Sequence, residues 1–151
     1  MSPPLGVWYD AAMPAKNVYH DLVVEALVAD GWTVTDDPLR LTYGAHDLYV
    51  DLGLTGSAVV AERAGREIAV EVQSFIGQST VNDLHRAVGQ CLIYQTVLAE
   101  VRPGVALYMA VPNEAFQDTF TDELGQLLLT RLIRRVVVFD QVTRRVLQWI
   151  D

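Results

Sequence analysis

The run Ile68-Ala69-Val70-Glu71-Val72-Gln73 constrains this chain more than any other. Its alternation predicts a strand with Ile68, Val70 and Val72 on one face and Ala69, Glu71 and Gln73 on the other. A carboxylate and an amide on an otherwise apolar strand are costly to bury unless each finds a partner. The fold therefore has to supply partners for both, or leave that face in water.

The flanking segments supply candidates for the rest of a sheet. Residues 1–12 read as a detachable extension because Pro3-Pro4 disfavours regular structure, and Met13-Pro14-Ala15-Lys16 offers a second possible start. Val18, Leu22, Val23, Ala26 and Leu27 recur at helical spacing over 17–30, and Gly31 supplies the stop. Trp32-Thr33-Val34-Thr35 reads as a strand ended by Asp36-Asp37-Pro38, with a possible continuation over 39–43. Residues 48–52 and 57–63 both read as extended, either separately or as one strand interrupted around Gly53–Gly56. With Ala64-Gly65 as the turn, 57–63 and 67–73 make a hairpin that sets Ala58 opposite Glu71.

The spacing next predicts a helix over 80–99. Thr80 and Asp83 resemble a capping box, and Val81, Leu84, Val88, Cys91, Leu92 and Leu98 form its core stripe. A strand over 105–111, a helix over 114–131 with a break near Gly125, and strands over 135–139 and 142–150 complete the chain. Interleaved helices and strands, with a meander first, predict an α/β fold with a mixed central sheet flanked by helices.

At 151 residues and 51% hydrophobic content, the chain has the size of one domain and enough apolar mass for a core. No apolar stretch is long enough for a membrane helix, and the single cysteine, Cys91, excludes an internal disulfide or multi-cysteine zinc site. With no signal-peptide pattern over 1–15, the expectation is a soluble cytoplasmic protein. A net charge of −8 argues against binding nucleic acid by bulk electrostatics. The acids are uneven: residues 1–73 hold eleven acids and four bases, whereas 74–151 hold eight and seven. Such crowding is either solvated surface or a cluster able to hold a divalent cation.

Asp51 and Glu71 are the pair to weigh. Two carboxylates from separate strands suit Mg2+, which takes oxygen ligands and keeps several waters. A metal held there polarises a phosphodiester and lowers the pKa of its bound water. From the simple hairpin, convergence of Asp51 on Glu71 needs a bend or bulge near Gly53–Gly56. His46 and His85 read as surface residues, and Cys91 as a small buried hydrophobe. Arg131, Arg134, Arg135, Arg144 and Arg145 read as scattered surface charge rather than a phosphate-binding edge.

Several runs together resemble one family. They are Tyr19-His20-Asp21, Asp30-Gly31-Trp32, Val50-Asp51-Leu52-Gly53, Ala61-Glu62-Arg63, the strand run extended through Ser74-Phe75, Gly89-Gln90, Leu107-Tyr108 and Gln148-Trp149-Ile150. In this order, over residues 13–151, they look like the XisH family of DNA-element excision controlling factors. The resemblance implies a restriction-endonuclease-like PD-(D/E)XK core and a small partner protein, XisI. It makes Asp51 the first acid of the site, with Asp47 its rival, and Glu71 the second, the two holding Mg2+. Gln73 stands where that superfamily has lysine, so the site keeps hydrogen-bond donors but lacks the charge. Lys16, the sole lysine, is a candidate for a migrated charge.

Gln90 and Tyr94, four apart on one helix face, resemble the Gln-x-x-x-Tyr element of RecB-like nucleases. His20 falls where related resolvase-like folds often place a glutamate. The implied function is DNA-element excision, by Mg2+-dependent cleavage of DNA in complex with a XisI-like partner. The alternatives are a catalytically inactive regulatory or interaction subunit and a nuclease restrained by its partner. Homo-oligomerisation is left open.

Overall fold

The computed structural model describes residues 17–60, 62–77 and 79–151. The extension at 1–12 and Met13-Pro14-Ala15-Lys16 lie outside them. Helix α1 (His20–Ala29) turns Val23, Ala26 and Leu27 inward. Gly31, at φ +100°, carries the chain out of it; a side chain there would be strained and would strike Val60.

Strands β1 (Trp32–Asp36), β4 (Leu52–Gly56), β5 (Glu67–Val72), β6 (Ala106–Pro112), β7 (Val136–Asp140) and β8 (Arg145–Ile150) form one sheet, in the order β1-β4-β5-β6-β7-β8. The pairs β5–β6 and β6–β7 are parallel and the others antiparallel. The parallel connection from β5 to β6 is made by helix α2 (Thr80–Val101). Strands β2 (Leu39–Tyr43) and β3 (His46–Val50) form a separate hairpin.

The sheet is buried on both faces, as the apolar runs of β6 and β7 require. On one face α1 packs Val23 and Leu27 against Leu52, Leu54, Ile68, Val70 and Val72. On the other, α2 presents Leu84, Ala87, Cys91, Tyr94 and Leu98 toward Ala69, Leu107 and Met109, and Leu39, Leu41 and Val50 of the hairpin join this layer. The expected mixed sheet flanked by helices is thus present. Among the described residues no helix is long and apolar enough to cross a membrane.

Several expectations are corrected. The described residues of 57–63 form no strand: they lie in turns between β4 and β5, and β5 pairs with β4. The predicted strand across 48–52 divides at Asp51, between β3 and β4. The long helix expected over 114–131 is two short ones, α3 (Asn113–Thr119) and α4 (Glu123–Leu128), followed by a π-helical turn at Leu129–Ile133. Its break falls at 120–122 rather than at Gly125, because Asp122 caps α4 by accepting from Gly125 N–H at 2.8 Å. Val81, placed in the core stripe, is exposed, and α2 is capped by Ser79 through Asn82 N–H at 3.3 Å rather than by a Thr80–Asp83 box.

Residues singled out far apart in the sequence meet beside α1. Asp30 Oδ2 accepts from Arg63 Nη2 at 2.9 Å and from Trp149 Nε1 at 2.8 Å. The Arg63 guanidinium lies 5.8 Å from the Trp32 ring centroid and 5.6 Å from that of Trp149. This knot ties the end of α1, the 57–66 loop and β8 together. Asp30→Ala is expected to destabilise the protein by about 1–2 kcal/mol and to perturb Trp149 fluorescence. Urea unfolding followed by tryptophan emission checks this, and an unchanged midpoint would show that the knot adds no stability.

Candidate functional site

Strand register places the first acid. Leu52 pairs with Val70 and Leu54 with Ile68, without a bulge, so Asp51 arrives beside Glu71 at the end of the β4–β5 pair. The bend expected at Gly53–Gly56 is not what brings them together. Alternation settles the face: Leu52, Val70 and Val72 pack toward α1, so Asp51, Glu71 and Gln73 turn toward α2.

The two carboxylates are cross-braced. Asp51 N–H donates to Glu71 Oε1 at 3.0 Å, and Val72 N–H donates to Asp51 Oδ2 at 2.8 Å. Each acid thus has one oxygen held by the other acid's strand. Glu71 is 7% exposed and Gln73 8%. Burial, reinforced by the charge of Asp51, pushes the Glu71 carboxyl up to about 9. Burial also raises Asp51, against the opposing pull of its Val72 hydrogen bond and of His20. Two buried acids this close retain a proton between them at neutral pH, unless a cation takes its place.

These acids lie on a cavity of about 300 Å³ whose wall includes Asn17, Tyr49, Gln73, Gln90 and Tyr94. Gln73 Nε2 donates to Gln90 Oε1 at 2.6 Å, which joins the strand to α2. Tyr94, one turn further along the helix, is raised well above its usual range by burial and then by Glu71 and Asp51. Cys91 is buried and pushed up to about 12 by burial, so it is no nucleophile at neutral pH. The expected grouping of Asp51, Glu71, Gln73, Gln90 and Tyr94 is therefore a spatial one.

Two candidates stand apart. Asp47 lies on the exposed side of the β2–β3 hairpin, where Thr42 and Arg40 bind its carboxylate at 2.7 and 3.0 Å. The Thr42 bond is the main reason its carboxyl sits below the usual range. His20, 3% exposed, is not on the cavity wall. Its Nε2 lies 2.8 Å from Asp37 Oδ1 without the alignment of a hydrogen bond.

Sequence reasoning missed Asp83 and Arg86. Both line the cavity from α2, in the same stripe as Gln90 and Tyr94. Their spacing, three residues from Asp83 to Arg86 and four from Arg86 to Gln90, is visible in the sequence, but reading Asp83 as a capping partner hides its place on the wall. The other arginines weighed earlier do not form an edge: Arg144 and Arg145 lie 3.4 and 3.9 Å from Glu25, and Arg131, Arg134 and Arg135 are exposed.

The donor chemistry suits a hard divalent cation. Asp51 and Glu71 each retain one oxygen not used by the backbone braces, and Mg2+ commonly takes one or two carboxylates with waters. Among the described residues, no three of His, Cys, Asp and Glu cluster as a fuller ligand set. A site here would rest on two protein carboxylates.

Fold and site together define a mixed-sheet α/β protein with two cross-braced acids in a cleft under its longest helix. Residues 13–147 match the family model described as XisH protein, and the chain belongs to the XisH family. It is similar to the crystal structure of an XisH family protein from Nostoc punctiforme PCC 73102, with 31% identity and a TM-score of 0.80 over 89% of this chain and all of that one. It is also similar to an fdxN element excision controlling factor protein from Anabaena variabilis, with 33% identity and a TM-score of 0.78 over 90% of this chain and all of that one. No protein with a curated description matches.

Proposed function

We propose that this chain is a Mg2+-dependent DNA endonuclease with a PD-(D/E)XK-type core, acting in DNA-element excision together with a XisI-like partner. One observation carries the reading: Asp51 and Glu71 meet in a cleft, each braced by the other's strand. Kinship with a protein described as an fdxN element excision controlling factor supports the process.

Asp51 and Glu71 would hold the ion through their remaining oxygens. Bound there, Mg2+ would supply Lewis-acid polarisation of the phosphodiester and a more acidic water. Gln73, fixed by Gln90, orients the attacking water through its amide. Tyr94 closes the cleft behind the acids and stays protonated, so it can donate a hydrogen bond. In the reaction a water oxygen bonds to phosphorus as the bond to the leaving sugar oxygen breaks. Water loses one proton, and the leaving oxygen gains one.

The test is supercoiled DNA incubated with Mg2+ and either the native protein or Glu71→Ala. Loss of nicking with the variant is expected; equal nicking by both overturns the reading. A second reading, an inactive regulatory subunit, is favoured by the neutral Gln73 at the lysine position. Under it, Gln73→Lys would create metal-dependent cleavage that the native protein lacks. The −8 charge fits a partner that supplies positive surface, so the complex is expected to bind DNA more tightly than the chain alone, and with stronger salt dependence. Titrating labelled DNA at several salt concentrations checks this; a salt-independent affinity would exclude such a contribution.

A further inference from the structure

We infer that Arg86 is the phosphate-binding cation of this cleft and that Asp83 is the residue that positions it. The inference rests on the two-carboxylate reading and adds the positive charge that reading lacks. Gln73 is neutral, yet a phosphodiester brought to Asp51 and Glu71 adds negative charge to a site that already carries two acids. Among the described residues, Arg86 is the one lysine or arginine on the cavity wall. It lies one helical turn before Gln90, whose amide is bonded to Gln73, so it shares a helix face with the groups around the acids.

The environment of Asp83 argues that this pair is more than a surface ion pair. Asp83 is only 6% exposed, whereas the Arg86 side chain is 65% exposed. Asp83 Oδ2 accepts from Gly77 N–H at 3.1 Å, in the loop that leads out of β5, and Oδ1 takes Arg86 Nη1 at 3.3 Å. A Cβ on Gly77 would collide with the Asp83 carboxylate, so the loop closes onto this acid only with glycine there. Asp83 is therefore held by the loop and the helix together. It engages one nitrogen of Arg86, and among the described residues the rest of this exposed guanidinium on the cavity wall makes no other hydrogen bond. A fork with several free N–H donors suits two phosphate oxygens at once.

Arg131, Arg134, Arg135, Arg144 and Arg145 are all absent from the cavity wall. The cation that meets DNA at the acids is thus one that charge counting alone would not have picked out.

The test measures binding, in Ca2+ to avoid turnover, using labelled duplex DNA and the full chain. Native protein, Arg86→Ala, Arg86→Lys and Asp83→Asn are titrated between about 50 and 200 mM salt. Calorimetric Mg2+ titrations run in parallel with Glu71→Ala as the control. Arg86→Ala is expected to bind DNA about tenfold more weakly, with the slope of log affinity against log salt flatter by about one, and to bind Mg2+ as the native protein does. Arg86→Lys keeps the slope but loses part of the affinity, because the fork is gone. Asp83→Asn weakens DNA binding with the native slope. Native DNA binding and slope in Arg86→Ala, with Mg2+ still bound, overturn the role of Arg86 and leave the two-carboxylate reading standing. Absence of Mg2+ binding by the native protein overturns both.

Discussion

Glu71→Gln is expected to raise the melting temperature of the metal-free protein near pH 8, by on the order of 5–10 °C. Glu71 titrates near 4.5 when unfolded and is pushed up to about 9 in the fold. Between those limits the folded chain holds a proton that the unfolded chain has released. Stability therefore falls as pH rises through that window and levels off above it. The raised Asp51 carboxyl adds to the same trend. Glutamine mimics the protonated acid: its oxygen still accepts Asp51 N–H, and its amide donates toward the Asp51 carboxylate. The variant should match the native protein below about pH 4.5 and gain on it steadily above. Added Mg2+ should stabilise the native protein at alkaline pH and leave Glu71→Gln unmoved. Melting curves that stay parallel across the window would show that the two acids do not share a proton.

What the sequence made visible about this pair was local. The alternation of 68–73 assigned Glu71 and Gln73 to one face because a strand's faces are set by its own residues. The four-residue spacing of Gln90 and Tyr94 assigned them to one side of a helix for the same reason. Which residue lies opposite Glu71 depends instead on the length of the β4–β5 loop. Ser57-Ala58-Val59-Val60 has the composition of a strand, yet Val59 is 91% exposed. Tertiary contacts, not propensity, decide its conformation: Ser57 N–H is taken by Gly31 O at 2.8 Å, and the chain then coils back on itself through Arg63 and Ala64 N–H bonds to Val60 O. Once those residues are removed from the strand, the pairing shifts from Ala58 to Asp51.

Asp83 shows the same limit from another side. An acid near a helix start reads as a capping partner, and the helix is in fact capped by Ser79. Nothing in the local sequence announces that the Gly77 loop will fold onto Asp83 and bury it. The polar wall of the cleft was therefore legible where it followed periodicity, and illegible where a loop completed it.

Gly56→Ala should be the most damaging single methyl group in the protein, costing about 3 kcal/mol or more and lowering the melting temperature by roughly 6–12 °C. Gly56 ends β4 with its N–H donated to Arg66 O at 2.8 Å, and a Cβ there would fall within the Arg63 carbonyl group. Neither side can yield cheaply. Both contacts are backbone, and Arg63 is further tied to Asp30 through its side chain and to Arg66 N–H through its carbonyl. The overlap is relieved only by opening the 57–66 loop, and that loop sets the register on which Asp51 meets Glu71. The variant should therefore lose Mg2+ binding along with stability, although residue 56 touches neither acid. Gly89→Ala is the control: it lies inside α2 with nothing near its added Cβ, and it should stabilise the helix by up to about 1 kcal/mol. Equilibrium urea unfolding and Mg2+ calorimetry on the two variants separate the effects. A Gly56→Ala protein that unfolds at the native midpoint and still binds the ion would mean that the loop does not set the register of the acids.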